Sequence, residues 1–145
     1  MAESREFNTC VEWCGKNTCE AYVGEEKESR CEIIPASESK EIEGTWSPLD
    51  MLCTSLASCV LLTFVYYMNK NKIGLLDHKC KVKGDLVKGA NGYVFTRFKI
   101  QLDITVKKGD REKTEEAVHL ALRFCPVSNS LTAEKELVYE IKEKE

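Results

Sequence analysis

Apolar and polar residues alternate in short runs at the start of the chain, merge into one long apolar block in its middle, and alternate again beyond it. Residues 8–14 (Asn-Thr-Cys-Val-Glu-Trp-Cys) and 18–23 (Thr-Cys-Glu-Ala-Tyr-Val) are rich in β-branched and aromatic side chains and flank Gly15-Lys16-Asn17, a combination that predicts a β-hairpin. A third strand is expected over 30–34, before Pro35 and a Ser/Glu-rich stretch at 36–45 with the composition of a loop. Residues 51–68 then run for 18 positions without a charge, a length that invites a membrane-span reading. That reading is set aside. The block carries Thr54, Ser55, Ser58, Thr63 and two cysteines, and it opens as a soluble helix does: Ser47 can cap, Pro48 takes the first helical position, and Asp50 completes a Ser-x-x-Asp capping box. A central helix over 47–69 is predicted. Because it is apolar on nearly every side, it is expected to be covered all round, by sheet on one face and by helices or a second subunit on another.

Residues 78–88 alternate small or apolar side chains with lysines, Asn91-Gly92 is a turn signal, and 93–106 alternate over a long run. That run puts Val94, Thr96, Phe98, Ile100, Leu102, Ile104 and Val106 on one face of a second hairpin with one wet side. A helix is expected over 111–124, with Glu112, Glu115 and Glu116 in its first turns and an apolar stripe of Ala117, Ala121 and Phe124. Pro126 bends or ends it, and a strand over 137–141 follows. The predicted order is β-β-β-α-β-β-α-β, an α+β fold. It is read as a single domain over 1–145: an N-terminal strand segment (1–45), the central helix (47–69) and a C-terminal β-β-α-β part (78–145).

A chain of 145 residues builds a core without disulfide staples or a structural metal. Its eight cysteines fall short of the ~8–10% of a disulfide-built secreted protein, and no charged-then-apolar signal peptide stands at its start. A reducing cytoplasm is the expected location. The net charge of −3 and pI of about 5.6 offer no general attraction for phosphate backbones or anionic lipid, so neither nucleic acid nor membrane is an expected partner. Charge is unevenly spread: residues 1–50 hold 12 Asp plus Glu against 5 Lys plus Arg (−7), whereas the remainder holds 12 against 16 (+4). The acidic segment reads as a solvated face or as a partner surface.

The thiols differ in their surroundings. Cys10, Cys14, Cys19 and Cys31 contain no Cys-x-x-Cys step, and structural zinc sites usually start from one, so no metal is expected. A zinc site built from these four is the competing reading. Cys53 and Cys80 read as packing residues. Cys59 lies mid-helix in Ser-Leu-Ala-Ser-Cys, where small neighbours leave room for close approach, and Cys125 stands at the break before Pro126. Packing thiols and reachable thiols are both open readings of this pair. His78 and His119 are read as ordinary surface or half-buried residues.

At these positions the sequence resembles the OsmC/Ohr family, the osmotically inducible and organic hydroperoxide resistance proteins. The resemblance rests on Trp46-Ser-Pro-Leu-Asp-Met-Leu-Cys-Thr-Ser-Leu-Ala-Ser-Cys59, with the family's eleven-residue step from Pro48 to Cys59, and on Ala121-Leu-Arg-Phe-Cys125-Pro-Val-Ser-Asn-Ser-Leu131. It implies an intertwined homodimer and a thiol peroxidase without a cofactor. Cys59 would attack an organic hydroperoxide, Cys125 would resolve the sulfenic acid, and a dithiol reductant would restore the pair. Leu56, Leu62 and Phe124 are expected to wall the site.

Peroxidatic members of that family activate the cysteine with an arginine from the N-terminal hairpin, held by a glutamate directly after the helix-starting proline. Here Leu49 takes the glutamate's place with Asp50 next to it, and the hairpin turn carries Lys16. A mid-helix thiol gains little from the helix dipole, so Lys16 and Arg30 are the candidate cations and Asp50 the candidate supporting acid. These departures also admit a non-catalytic OsmC-like protein that binds a small apolar ligand or a partner in a dimer cleft.

Overall fold

Strand alternation and helix capping place the elements close to where the sequence predicts them. In the computed structural model, residues 5–15, 18–23, 30–34 and 46–145 are described, and the chain divides into two compact units, 1–52 and 53–145. The expected loop over 36–45 lies outside the described residues.

The first unit holds a three-stranded antiparallel sheet of β1 (Thr9–Gly15), β2 (Thr18–Val23) and β3 (Arg30–Ile33), with β2 central. Gly15 turns the β1–β2 hairpin at φ +99°, a conformation that favours glycine, and its carbonyl accepts a hydrogen bond from the Thr18 hydroxyl at 2.8 Å. Trp13 pairs with Cys19, and Ala21 with both Val11 and Cys31; Glu12, Glu20 and Glu32 form one cross-strand row. Alternation therefore sets Cys10 on the glutamate face and Cys19 and Cys31 on the opposite one. With Cys10 on one face and Cys19 and Cys31 on the other, the four thiols do not all converge on one ion. Among the described residues no group of three or more His, Cys, Asp or Glu side chains is placed to hold a metal.

Helix α1 (Pro48–Lys70) begins at the capping box the sequence predicts. The Ser47 hydroxyl accepts from the Asp50 N–H at 3.1 Å, while one Asp50 carboxylate oxygen accepts from the Ser47 N–H at 3.0 Å and the Ser47 hydroxyl at 2.7 Å. By length and composition α1 is apolar enough to cross a membrane, with a mean hydropathy of 1.7. Within a single chain its burial is one-sided. Only the stripe Leu56, Val60, Phe64 and Met68 is fully buried, whereas Leu62 is 67% and Tyr66 59% exposed. The second unit supplies one sheet, and a sheet covers only one side of a helix.

The second unit is built on β4 (Leu75–Gly89), β5 (Gly92–Lys107) and β6 (Glu134–Lys144), in that spatial order. β4 and β5 form an antiparallel hairpin, and β6 joins β5 in parallel. A parallel strand needs a crossover, here supplied by α2 (Arg111–Arg123) and a short α3 (Pro126–Ser130). Phe98, Ile100, Leu102, Ile104 and Val106 of β5 are buried as alternation predicts. Val94 is exposed instead, because the register shifts between Asp85 and Leu86 and breaks the alternation beyond Arg97. Phe95 turns inward there and packs on Phe98 with ring centroids 4.9 Å apart. Asp110 precedes α2 without capping it through its side chain; its carboxylate accepts the Gly74 N–H at 3.0 Å and so ties the start of α2 to the α1–β4 connection.

Candidate active site

Cys59 occupies the middle of α1 and is half-buried. The Thr63 hydroxyl donates to the Cys59 carbonyl at 2.7 Å and the Ser58 hydroxyl to the Ser55 carbonyl at 3.2 Å. Both hydroxyls are thus turned back on their own helix, as Ser and Thr on helices commonly are.

Cys125 arises from a break in the helical crossover. α2 ends at Arg123, Phe124 closes it, and Cys125 takes an extended conformation (φ −72°, ψ 112°) as the cap of α3. Pro126 fits there because the first position of a helix needs no N–H. The sequence predicts only a bend or an end at Pro126; α3 was not legible because five residues carry no periodic pattern. The Cys125 sulfur accepts the Ser128 N–H at 3.4 Å and is fully buried.

The Cys59 and Cys125 thiols are near enough to interact directly by charge and by hydrogen bond, and both are free thiols. Burial is the main reason the Cys125 pKa is pushed up to about 11; the Ser128 N–H acts the other way, and the neighbouring Cys59 thiol raises it further. Cys80, on β4, is also pushed up to about 11, by burial first, then by Asp103 and by Cys125. The sequence reading of Cys80 as packing alone is therefore incomplete: it lies within electrostatic reach of Cys125. No signal in the sequence reveals that proximity, which depends on how α2 and α3 return over the sheet.

Beside Cys59 lies an open groove of about 470 Å³. Ser55, Ser58 and Thr63 contribute its polar atoms, and Leu62, Tyr66, Pro126 and Val127 its apolar wall; none of its lining residues is charged. Leu62 lines it as expected, but Leu56 and Phe124 do not. Leu56 is fully buried in the α1 stripe. Phe124, assigned by the sequence to the apolar stripe of α2, is 49% exposed, packs against Tyr67 at 6.1 Å between centroids and lies under the Arg123 guanidinium. The buried stripe of α2 is Thr114, Ala117, Val118 and Ala121, since a 13-residue helix ends one position before Phe124.

Of the supporting residues, Asp50 is engaged in the α1 cap. Lys16 lies outside the described residues. Arg30 stands in β3 opposite Tyr22, and its side chain lies outside them too. His119 is exposed and meets Tyr139 edge-on at 5.7 Å between centroids.

Residues 40–140 match the family described as OsmC-like protein. The chain belongs to the OsmC-like family. Solved structures share its fold. An OsmC-like protein from Mycoplasma pneumoniae is similar with a TM-score of 0.82 at 14% identity, covering 97% of this chain and 99% of that one. An OsmC-like protein of unknown function from Vibrio cholerae reaches 0.79 at 19% identity, covering 95% and 99%. The organic hydroperoxide resistance protein OhrB of Bacillus subtilis reaches 0.63 at 19% identity, covering 95% and 98%. No curated protein matches the sequence.

Proposed function

We propose that this OsmC-like chain is a thiol-dependent peroxidase that reduces organic hydroperoxides through Cys59 and Cys125. The observation that carries the reading is the pairing of these two thiols at the edge of an uncharged, largely apolar groove. Cys59 borders the groove and takes the first step. Its thiolate attacks the O–O bond, an S–O bond forms, the alcohol leaves with a proton, and Cys59 becomes a sulfenic acid. Buried Cys125 then displaces water from that sulfur to form the disulfide, and an external dithiol reduces it. Family membership and the likeness to proteins named for hydroperoxide resistance support a peroxide-related role.

Two further parts belong to this proposal. The exposed Leu62 and Tyr66 side of α1 is covered by a second copy of the chain, since a monomer rarely leaves so long an apolar helix face in water. The reduced cytoplasm keeps the thiols free. A non-catalytic reading, in which the groove binds a small apolar ligand, draws on the absence of charge among the groove residues. The deciding experiment is consumption of cumene hydroperoxide with dithiothreitol as reductant, combined with disulfide mapping. The peroxidase reading expects a Cys59–Cys125 bond and loss of consumption in Cys59→Ser. Wild-type rates in Cys59→Ser would overturn it, and no consumption by wild type would decide for ligand binding.

A further inference from the structure

Cys80 is a half-buried nucleophile that a two-cysteine mechanism leaves unused. It pairs with Leu102 across the hairpin, and alternation puts it on the covered face of β4 together with Val82 and Gly84. Helix α1 runs over that face in the direction opposite to β4. Residues 71–74 join the end of the helix to the start of the strand, where the Ile73 N–H donates to the Met68 carbonyl at 3.0 Å. At the far end a Cβ on Gly84 would stand 3.1 Å from the Cys53 sulfur.

These two anchors set the level of every residue between them. Six residues on from Cys53 the helix has advanced about 9 Å, and four residues back from Gly84 the strand has covered about 13 Å. Cys59 and Cys80 therefore lie within roughly 4 Å of the same level along their shared direction. Cys125 is beside Cys59 and within electrostatic reach of Cys80. Three thiols on three separate elements thus gather at one level of the second unit.

We propose that Cys80 is a third redox thiol, which takes over the disulfide from Cys59 and frees Cys59 for a second hydroperoxide. This inference rests on the reading of Cys59 and Cys125 as a peroxide-oxidised pair. In the exchange, Cys80 releases its proton to solvent and its sulfur attacks that of Cys125. The Cys80–Cys125 bond forms, the Cys59–Cys125 bond breaks, and Cys59 departs as the thiolate. Nothing is oxidised or reduced overall in that step. A second organic hydroperoxide then oxidises Cys59 to the sulfenic acid and leaves as the alcohol, so a chain without reductant takes up two equivalents instead of one.

The test uses the full chain, reduced, freed of reductant and titrated with cumene hydroperoxide. Peroxide consumption is counted, sulfenic acid is trapped with dimedone, and disulfides are mapped after chymotryptic digestion. Wild type is expected to consume two equivalents per chain, to show a Cys80–Cys125 bond and to carry dimedone on Cys59. Cys80→Ser and Cys80→Ala are expected to stop at one equivalent with only the Cys59–Cys125 bond. A wild type that also stops there, with Cys80 free, overturns the exchange and leaves the peroxidase reading standing. Absence of any Cys59–Cys125 bond in wild type and in both Cys80 variants, with undiminished consumption by Cys59→Ser, overturns that reading and the exchange with it.

Discussion

The thiol of Cys59, midway along α1, faces the thiol of Cys125, the residue that caps α3. The break at Pro126 makes the encounter possible: a regular continuation of α2 would carry the Cys125 side chain round the helix, whereas the extended backbone at Cys125 sets it at the head of a new one.

Burial of Cys125 has a kinetic consequence. With its pKa near 11 it is a neutral thiol at pH 7, and only the thiolate attacks a sulfenic acid efficiently. The rate of Cys59–Cys125 bond formation, followed by rapid quench and mass spectrometry after one equivalent of hydroperoxide, is expected to rise about tenfold per pH unit from pH 8 to 10. A rate flat over that range would show that Cys125 is not the group that must ionise.

The same raised values affect stability, and the sign follows from proton binding. Cys80 and Cys125 hold their protons to about pH 11 when folded, against a reference of 9.0 for an unperturbed thiol. Between pH 9 and 11 the unfolded chain binds fewer protons than the native one, so stability is full below pH 9 and falls as pH rises through that window. Urea midpoints measured across pH 8–11 should decline, and decline less steeply in Cys80→Ala.

The capping box separates two roles for Asp50. Ser47→Ala removes the acceptor for the Asp50 N–H and is expected to cost about 1 kcal/mol in urea unfolding. Asp50→Asn keeps an acceptor oxygen for the Ser47 N–H. If the carboxylate serves only the cap, hydroperoxide consumption by Asp50→Asn stays within about twofold of wild type. A loss of tenfold or more would show that its charge acts on the chemistry.

Gly84 is a close-approach glycine. A Cβ there would stand 2.6 Å from the Phe95 ring and 3.1 Å from the Cys53 sulfur, so Gly84→Ala must displace one of them. The expected cost is about 1–3 kcal/mol in thermal or urea unfolding. A neutral result would mean that α1 and the β4–β5 hairpin separate easily at this point.

The exposed side of α1 supplies the test of the second copy. Leu62→Glu puts a charge on a side chain that is 67% exposed in one chain, so a monomer tolerates it and an apolar dimer contact does not. Light scattering on the eluting protein is expected to show a dimer for wild type and a monomer for the variant. An unchanged mass would place the contact elsewhere.

Local rules acting over a few residues were legible in the sequence. Alternation in 93–106, the Asn91-Gly92 turn, the Ser47–Asp50 cap and the apolar block all predict elements found within a few residues of their places. The Pro48-to-Cys59 step and the Cys-Pro-Val segment pointed to the family that residues 40–140 match. The sequence is silent or wrong wherever a neighbour distant in sequence decides. Periodicity does not say which side of the apolar block meets the sheet, which covers the Leu56, Val60, Phe64 and Met68 stripe. It assigns Phe124 to a core that the helix end leaves it outside, and it says nothing of a bulge that turns Phe95 inward. Cys80 shows the limit most clearly. Its own strand marks it as one more covered small residue, and only the return of α2 and α3 over the sheet brings Cys125 within reach of its charge. Secondary structure follows from interactions between near neighbours and can be read from one chain segment at a time; the meeting of thiols from a strand, a helix and a cap depends on packing, which no single segment contains.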